Sequence, residues 1–244
     1  SSAASDVYKR QAQTMTQTVV SARKRVIISP LRYPGGKGLL YSRLQTIIRE
    51  NSLTSNVYVE PYAGGAGAAL ALLISGQVER IAINDLDPAI YAFWDAVVTQ
   101  PEEFIALVNS VELSIDEWER QREVYLTCSR NDNFSLGFAT FYLNRTNHSG
   151  VLNGGPIGGK DQTGSYKIDA RFNREGLAER IRLISLYADR ISVTNEDGLH
   201  AIQQYSAQDD AFIYADPPYF EKARSLYLNA FDDSDHQNLA ECLK

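Results

Sequence analysis

Near the end of the chain, Ala215-Asp216-Pro217-Pro218-Tyr219 combines groups able to hold a flat ring that carries an amine. Asp216 and the Pro217 carbonyl supply acceptors and Tyr219 supplies an aromatic face, which suits an exocyclic amino group on a base stacked against the tyrosine. Pro217 and Pro218 fix their own φ and cannot donate to a β-ladder, so the backbone beyond Asp216 is stiff. A plain Pro-Pro turn after a strand would read the same way in isolation, and the rest of the chain has to decide.

A second group of residues lies earlier. Val57-Tyr58-Val59 reads as a strand, followed by Glu60-Pro61-Tyr62-Ala63-Gly64-Gly65-Ala66-Gly67 and a small-residue helix at 68–74. Glycines at the carboxyl end of a strand let a ligand lie against backbone, although tight packing of helix on sheet would also use them. About twenty residues on, Ile81-Ala82-Ile83-Asn84-Asp85 is a strand ending in an acid, placed to accept from ribose hydroxyls. The two motifs together describe a site for an adenosine-bearing cofactor. Tyr33-Pro34-Gly35-Gly36-Lys37, ahead of a helical pattern at 39–48, can bring backbone and a cation to a polar ligand. Gly38 stands where a P-loop needs Ser or Thr, so a phosphate cradle of the NTPase kind is not indicated.

These motifs need a scaffold, and the chain has the size for one. Its 244 residues are 44% hydrophobic and 22% charged, enough for one domain with an insertion. No apolar run approaches the roughly 20 residues of a membrane span, so a soluble protein without a membrane partner is expected. Cys128, Cys242, His148, His200 and His236 are scattered, which predicts no metal and a reducing cytosol. The net charge of −6 argues against general nucleic-acid binding, but seven basic and no acidic residues lie between 21 and 49, and five basic against two acidic lie between 144 and 174.

Strands at 57–59, 81–85, 190–194 and 211–214 alternate with helices at 39–48, 68–74, 87–100, 101–127, 134–143, 177–190 and 199–205. Such alternation predicts an α/β fold with a doubly wound, mostly parallel sheet. Trp94 and Trp118 read as core. Between Asn144-Arg145-Thr146-Asn147 and Arg171-Phe172-Asn173 the chain is rich in Gly, Asn and Lys with little periodicity, and a loop of that length is either disordered or a binding element. Its amides and its basic side chains, Arg145, Lys160, Arg171 and Arg174 among them, suit contacts to phosphates and base edges.

In this order, Tyr33-Pro-Gly-Gly-Lys37, Glu60-Pro-Tyr-Ala-Gly64, Asp85, Asn144-Arg145-Thr146-Asn147 and Asp216-Pro-Pro-Tyr219 resemble the Dam-like, alpha-group DNA adenine-N6 methyltransferases. The resemblance implies a Rossmann-like fold that uses S-adenosylmethionine and acts on double-stranded DNA, as a monomer when complete, by base flipping. It implies that Tyr33, Lys37, Glu60, Pro61, Tyr62, Gly64, Asp85 and Asp216 bind the cofactor, and that Asp216, Pro217, Pro218 and Tyr219 hold the target adenine. Asn144, Arg145, Asn147, Lys160 and Arg171 would meet DNA from a target-recognition insert at 128–176, set into a catalytic domain of 21–127 and 177–244. The acid at 216 favours adenine over the rival substrates of the fold: cytosine N4 enzymes more often carry Ser there and glutamine methylases Asn. RNA adenine and a catalytically silent DNA-binding module are further alternatives. The glycine turn departs from the family's Phe-x-Gly-x-Gly, since Ala66 holds the last position and Gly67 follows, so a turn shifted by one residue is expected.

Both ends carry expectations too. Asp6-Val7-Tyr8-Lys9-Arg10-Gln11 reads as a translated library adapter, and residues 1–11 are set aside as a scar. Residues 235–244 read as a helix where the family's seven-stranded sheet should continue, which leaves four strands and an expectation that the C-terminal strands are missing and this chain is inactive alone.

Overall fold

The computed structural model describes residues 28–32, 40–51, 57–128 and 132–217. Expectations for the adapter-like segment, Tyr33, Lys37, Pro218, Tyr219 and the helix at 235–244 lie outside the described residues.

Helix α1 (Tyr41–Glu50) leads to strand β1 (Val57–Glu60), helix α2 (Gly67–Ile74) and strand β2 (Arg80–Asn84). Five helices follow: α3 (Pro88–Thr99), α4 (Pro101–Ser110), α5 (Ile115–Thr127), α6 (Asn133–Thr146) and α7 (Arg174–Ser185). Strand β3 (Ile191–Thr194), helix α8 (Gly198–Ser206) and strand β4 (Ala211–Ile213) complete the described part. The four strands form one parallel sheet in the order β3-β2-β1-β4. Parallel strands need covered faces, and the sequence supplies them: Tyr58, Val59, Ile81, Ala82 and Ile83 are all buried.

The single predicted helix over 101–127 is two helices. Ser114 turns the chain and caps α5, its hydroxyl accepting from the Glu117 N–H at 3.2 Å, while Val111 is extended. Helix α7 ends at Ser185, short of the expected 190, and a 3-10 turn at Ala188–Arg190 leads into β3.

Helix α3 packs on β3 and also on α4, α6 and α7, and α5 packs on α6. Phe93, Phe104, Phe138, Phe141 and Phe172 interlock at this junction, with neighbouring ring centroids 5.4–6.2 Å apart. Phe172 and Ile168 thereby carry the end of the 147–173 loop into the main core. Within the segment expected as an insert, α6 is buried along its whole second half and the loop after it lies largely on the surface.

Candidate functional site

The strand order defines where a ligand can sit. From β1 the chain moves to β2 and β3 on one side, then crosses back to place β4 on the other side of β1. At such a reversal the loops leaving the two central strands diverge and open a crevice at their carboxyl ends. Those strands are β1 and β4, so the loops are the glycine turn after Glu60 and the Tyr214-Ala215-Asp216-Pro217 segment. Val59 is in register with Ile213, and the Tyr214 N–H donates to the Val59 carbonyl at 2.9 Å, which sets Glu60 beside Tyr214.

Glu60 is buried, with no exposed surface. Its Oε1 accepts from the Ala69 N–H at 3.0 Å and from the Tyr58 hydroxyl at 3.1 Å. The carboxylate thus faces the first turn of α2, whose free N–H groups and dipole favour negative charge. Burial first, and then the charges of Glu60, Tyr214 and Asp216, hold the Tyr58 phenol far above its ordinary pKa, so it remains a donor. Asp216 and Pro217 are half-buried.

The glycine turn is tied on several sides. The Gly64 N–H donates to Asp85 Oδ2 at 2.8 Å, and the Gly64 carbonyl accepts from the Trp94 indole at 2.9 Å. Asp85 Oδ1 accepts from the Asp87 N–H at 3.0 Å, so one carboxylate spans the turn and the entry to α3. Asn84 uses its full capacity: Nδ2 donates to the carbonyls of Pro61 and Glu196, each at 2.9 Å, while Oδ1 accepts from the Thr194 hydroxyl at 2.8 Å and the Glu196 N–H at 2.9 Å. The loops after β1, β2 and β3 are therefore locked together beneath the crevice. The expected shift of the turn does not occur. The left-handed residues are Gly64 (φ 50) and Ala66 (φ 45), at alternate positions, and Gly67 already begins α2. Ala66 accepts a conformation that costs a non-glycine residue about 1–2 kcal/mol. Tyr62 lies against the start of α8, where a Cβ on Gly198 would come within 2.3 Å of the ring.

The residues expected to meet DNA divide into two sets. Asn144, Arg145 and Asn147 are buried at 2%, 7% and 0% exposure. Asn144 Oδ1 accepts from the Arg32 N–H at 2.7 Å, and its Nδ2 donates to the carbonyls of Arg32 (2.8 Å) and Gly150 (2.9 Å). Asn147 Oδ1 accepts from the Trp118 indole at 2.7 Å, and Nδ2 donates to Val151 (2.9 Å) and Leu152 (3.0 Å). Arg145 Nε donates to the Pro30 carbonyl at 2.6 Å, and burial, then Arg180 and Arg32, push its pKa down. These three side chains are buried and bonded to backbone groups of the protein. Arg174 also turns inward, donating to the carbonyls of Val108 and Val111 at the end of α4. Lys160 and Arg171 are exposed. Lys160 lies 2.7 Å from Glu119 and 5.8 Å from the centre of the Trp118 ring.

Sequence reasoning missed Tyr58, Asn84 and Trp94 as parts of the site. Asn84 carried a usable signal, a polar residue at the end of an apolar strand. Among the described residues no group of acids, histidines and cysteines could hold a metal, and no helix is long and apolar enough to cross a membrane.

Residues 33–244 match the family model described as D12 class N6 adenine-specific DNA methyltransferase. The modification methylase StsI of Streptococcus sanguinis is 25% identical over 234 residues, covering 91% of this chain and 33% of that protein. Type II methyltransferase M1.LlaDCHI of Lactococcus lactis subsp. cremoris is 23% identical over 231 residues, 87% of this chain and 75% of the relative. The DNA adenine methylase of Vibrio cholerae is 24% identical over 201 residues, 78% of this chain and 64% of that protein. The chain thus spans about a third of the first of these relatives and just under two thirds of the last.

Proposed function

The chain belongs to the D12 class N6 adenine-specific DNA methyltransferases, and from that membership we propose that it transfers a methyl group from S-adenosylmethionine to N6 of an adenine in double-stranded DNA. One observation carries the reading: β4 lies directly beside β1, so Asp216-Pro217 and the Glu60 turn share one crevice. Its chemistry fits the cofactor. Glu60, Asp85 and Asp216 offer carboxylates to a ligand bearing ribose hydroxyls, an ammonium and a sulfonium, whereas a dinucleotide would bring phosphates to the same acids. Tyr33, Lys37, Pro61, Tyr62 and Gly64 complete the proposed cofactor contacts.

Bound S-adenosylmethionine supplies an electrophilic methyl group. The protein's part is to make a poor nucleophile competent, because the lone pair of an aromatic amine is delocalised into its ring. Acceptance of N6 hydrogen bonds by Asp216 and the Pro217 carbonyl localises that pair and aims it. An adenine inside a duplex cannot reach the crevice, so it must be flipped out, with Tyr219 replacing its lost stacking and Pro218 stiffening the support. Lys160 and Arg171 meet the phosphates.

Methyl-sensitive digestion of plasmid DNA from an expressing host tests the reading. Asp216→Ala is expected to weaken cofactor binding and to abolish whatever adenine methylation the native chain supports; Tyr219→Ala is expected to keep cofactor affinity and lose that turnover. Consumption of S-adenosylmethionine only with RNA or protein would overturn it.

A further inference from the structure

Segment 28–32 and the start of the loop at 147–152 form neither regular helix nor strand beyond one 3-10 turn, so their backbone groups need other partners. Two asparagines one helical turn apart, at the end of α6, provide them. Asn144 spans Arg32 and Gly150 through three hydrogen bonds, and Asn147 spans Trp118, Val151 and Leu152 through three more. Arg32 returns the contact, its Nη1 donating to the Asn147 carbonyl at 3.3 Å. An independent feature of the backbone marks the same place. Ser149 (φ 56) and Gly150 (φ 78) are both left-handed, and a Cβ on Gly150 would come within 2.6 Å of the Arg32 carbonyl and 3.2 Å of Asn144 Nδ2. The loop therefore leaves α6 by a tight reversal pressed onto segment 28–32, and a side chain at 150 would separate the two.

We infer that Asn144 and Asn147 are positioning residues for DNA, acting through the loop at 148–173 that presents Lys160 and Arg171. The inference deepens the proposed reading and rests on it. Neither asparagine touches DNA; with both amide hydrogens and an oxygen lone pair committed to the protein, each holds the loop in one geometry before a duplex arrives. Ordering a loop of this length during binding would subtract from the affinity of its phosphate contacts, and a loop ordered beforehand avoids that loss. Trp118 stands at the centre of the arrangement, bonded to Asn147 and lying beneath Lys160. It serves as a built-in reporter of whether the loop is seated.

The test is an equilibrium binding comparison of the full chain with Asn147→Ala, Asn147→Asp and Gly150→Ala, using duplex plasmid DNA and, separately, S-adenosylmethionine. Asn147→Asp keeps an acceptor for the Trp118 indole and loses both donations to the loop. The inference expects the Kd for DNA to rise about tenfold or more in all three, on the scale of coupling between linked sites. S-adenosylmethionine affinity should stay within about twofold, and the salt slope of DNA binding should be unchanged because the phosphate contacts themselves remain. Trp118 fluorescence should shift in Asn147→Ala. Equal losses in cofactor and DNA affinity would reduce the asparagines to general stability and overturn the inference, as would a DNA Kd that does not move. A native chain that binds no DNA would instead overturn the reading beneath it.

Discussion

Replacing Asp85 by Asn separates two jobs that one carboxylate can hold. Resemblance assigns Asp85 to the cofactor ribose, while the structure gives Oδ2 to the Gly64 N–H and Oδ1 to the Asp87 N–H. An amide cannot replace that carboxylate. Asn offers one acceptor and one donor, so whichever way it turns, its NH2 group meets one of the two N–H groups. Asp85→Asn therefore removes one hydrogen bond to a charged acceptor and leaves a donor facing a donor. The first loss is worth about 1.5–3 kcal/mol and the second about 1–3 kcal/mol. Both hydrogen bonds are only partly buried, which places the total at about 2–4 kcal/mol. For a domain of this size each kcal/mol moves the melting temperature by about 2–4 °C. Thermal melts without cofactor should thus show Asp85→Asn unfolding roughly 5–15 °C below the native chain, with Asp85→Ala similar. A variant that melts with the native chain, yet has lost cofactor affinity in calorimetric titration, would refute the argument and leave Asp85 as a ligand contact alone.

Trp94→Phe keeps an aromatic ring in the core and removes the indole donor to the Gly64 carbonyl. A loss of about 1–3 kcal/mol in urea unfolding, together with severalfold weaker S-adenosylmethionine binding, is expected; unchanged binding would free the turn from α3. Replacing both Lys160 and Arg171 by Ala should lower the salt slope of DNA binding by about 2 and leave cofactor affinity alone, measured by anisotropy over a range of salt. Arg174→Ala, in contrast, removes two ties to the end of α4. It should lower the melting temperature with no change in that slope.

Those last two variants show where the sequence was and was not legible. A basic residue in a glycine-rich stretch reads the same whether it faces DNA or reaches back into its own protein. Lys160 and Arg174 differ only in where the fold puts the nearest carbonyls. The periodicity of the helices, the apolar strands and the glycine turn were visible because each depends on neighbours a few residues away. The break at 111–114 was missed although Ser114 and Glu117 stand at capping distance, since the apolar spacing on either side continues through it. Alternation predicted a parallel sheet, but not the strand order that sets β4 beside β1.

Polar residues at the ends of buried elements are harder, because their chemical type says what they can bond and nothing about how much of that capacity remains. Asn144 meets Arg32 across 112 positions, Arg145 meets Pro30 across 115, and Asn84 meets Glu196 across 112. No local pattern encodes such pairs. Asn144-Arg145-Thr146-Asn147 looked like a solvated surface because four polar residues in a row rarely enter a core. They enter this one because segment 28–32 and the loop reversal bring unpaired backbone groups that only side chains can satisfy. The same accounting distinguishes the acids of the crevice from the amides beneath it. Asn84 has spent all four of its hydrogen-bonding valences on the protein, so it can support a ligand site without touching the ligand. A carboxylate such as that of Glu60 or Asp85 has about four lone-pair sites against the two of an amide oxygen, and each of these acids braces its own loop. An acid can therefore brace its own loop and still accept from a ribose or an ammonium, which is why in this crevice the amides hold and the carboxylates can do both.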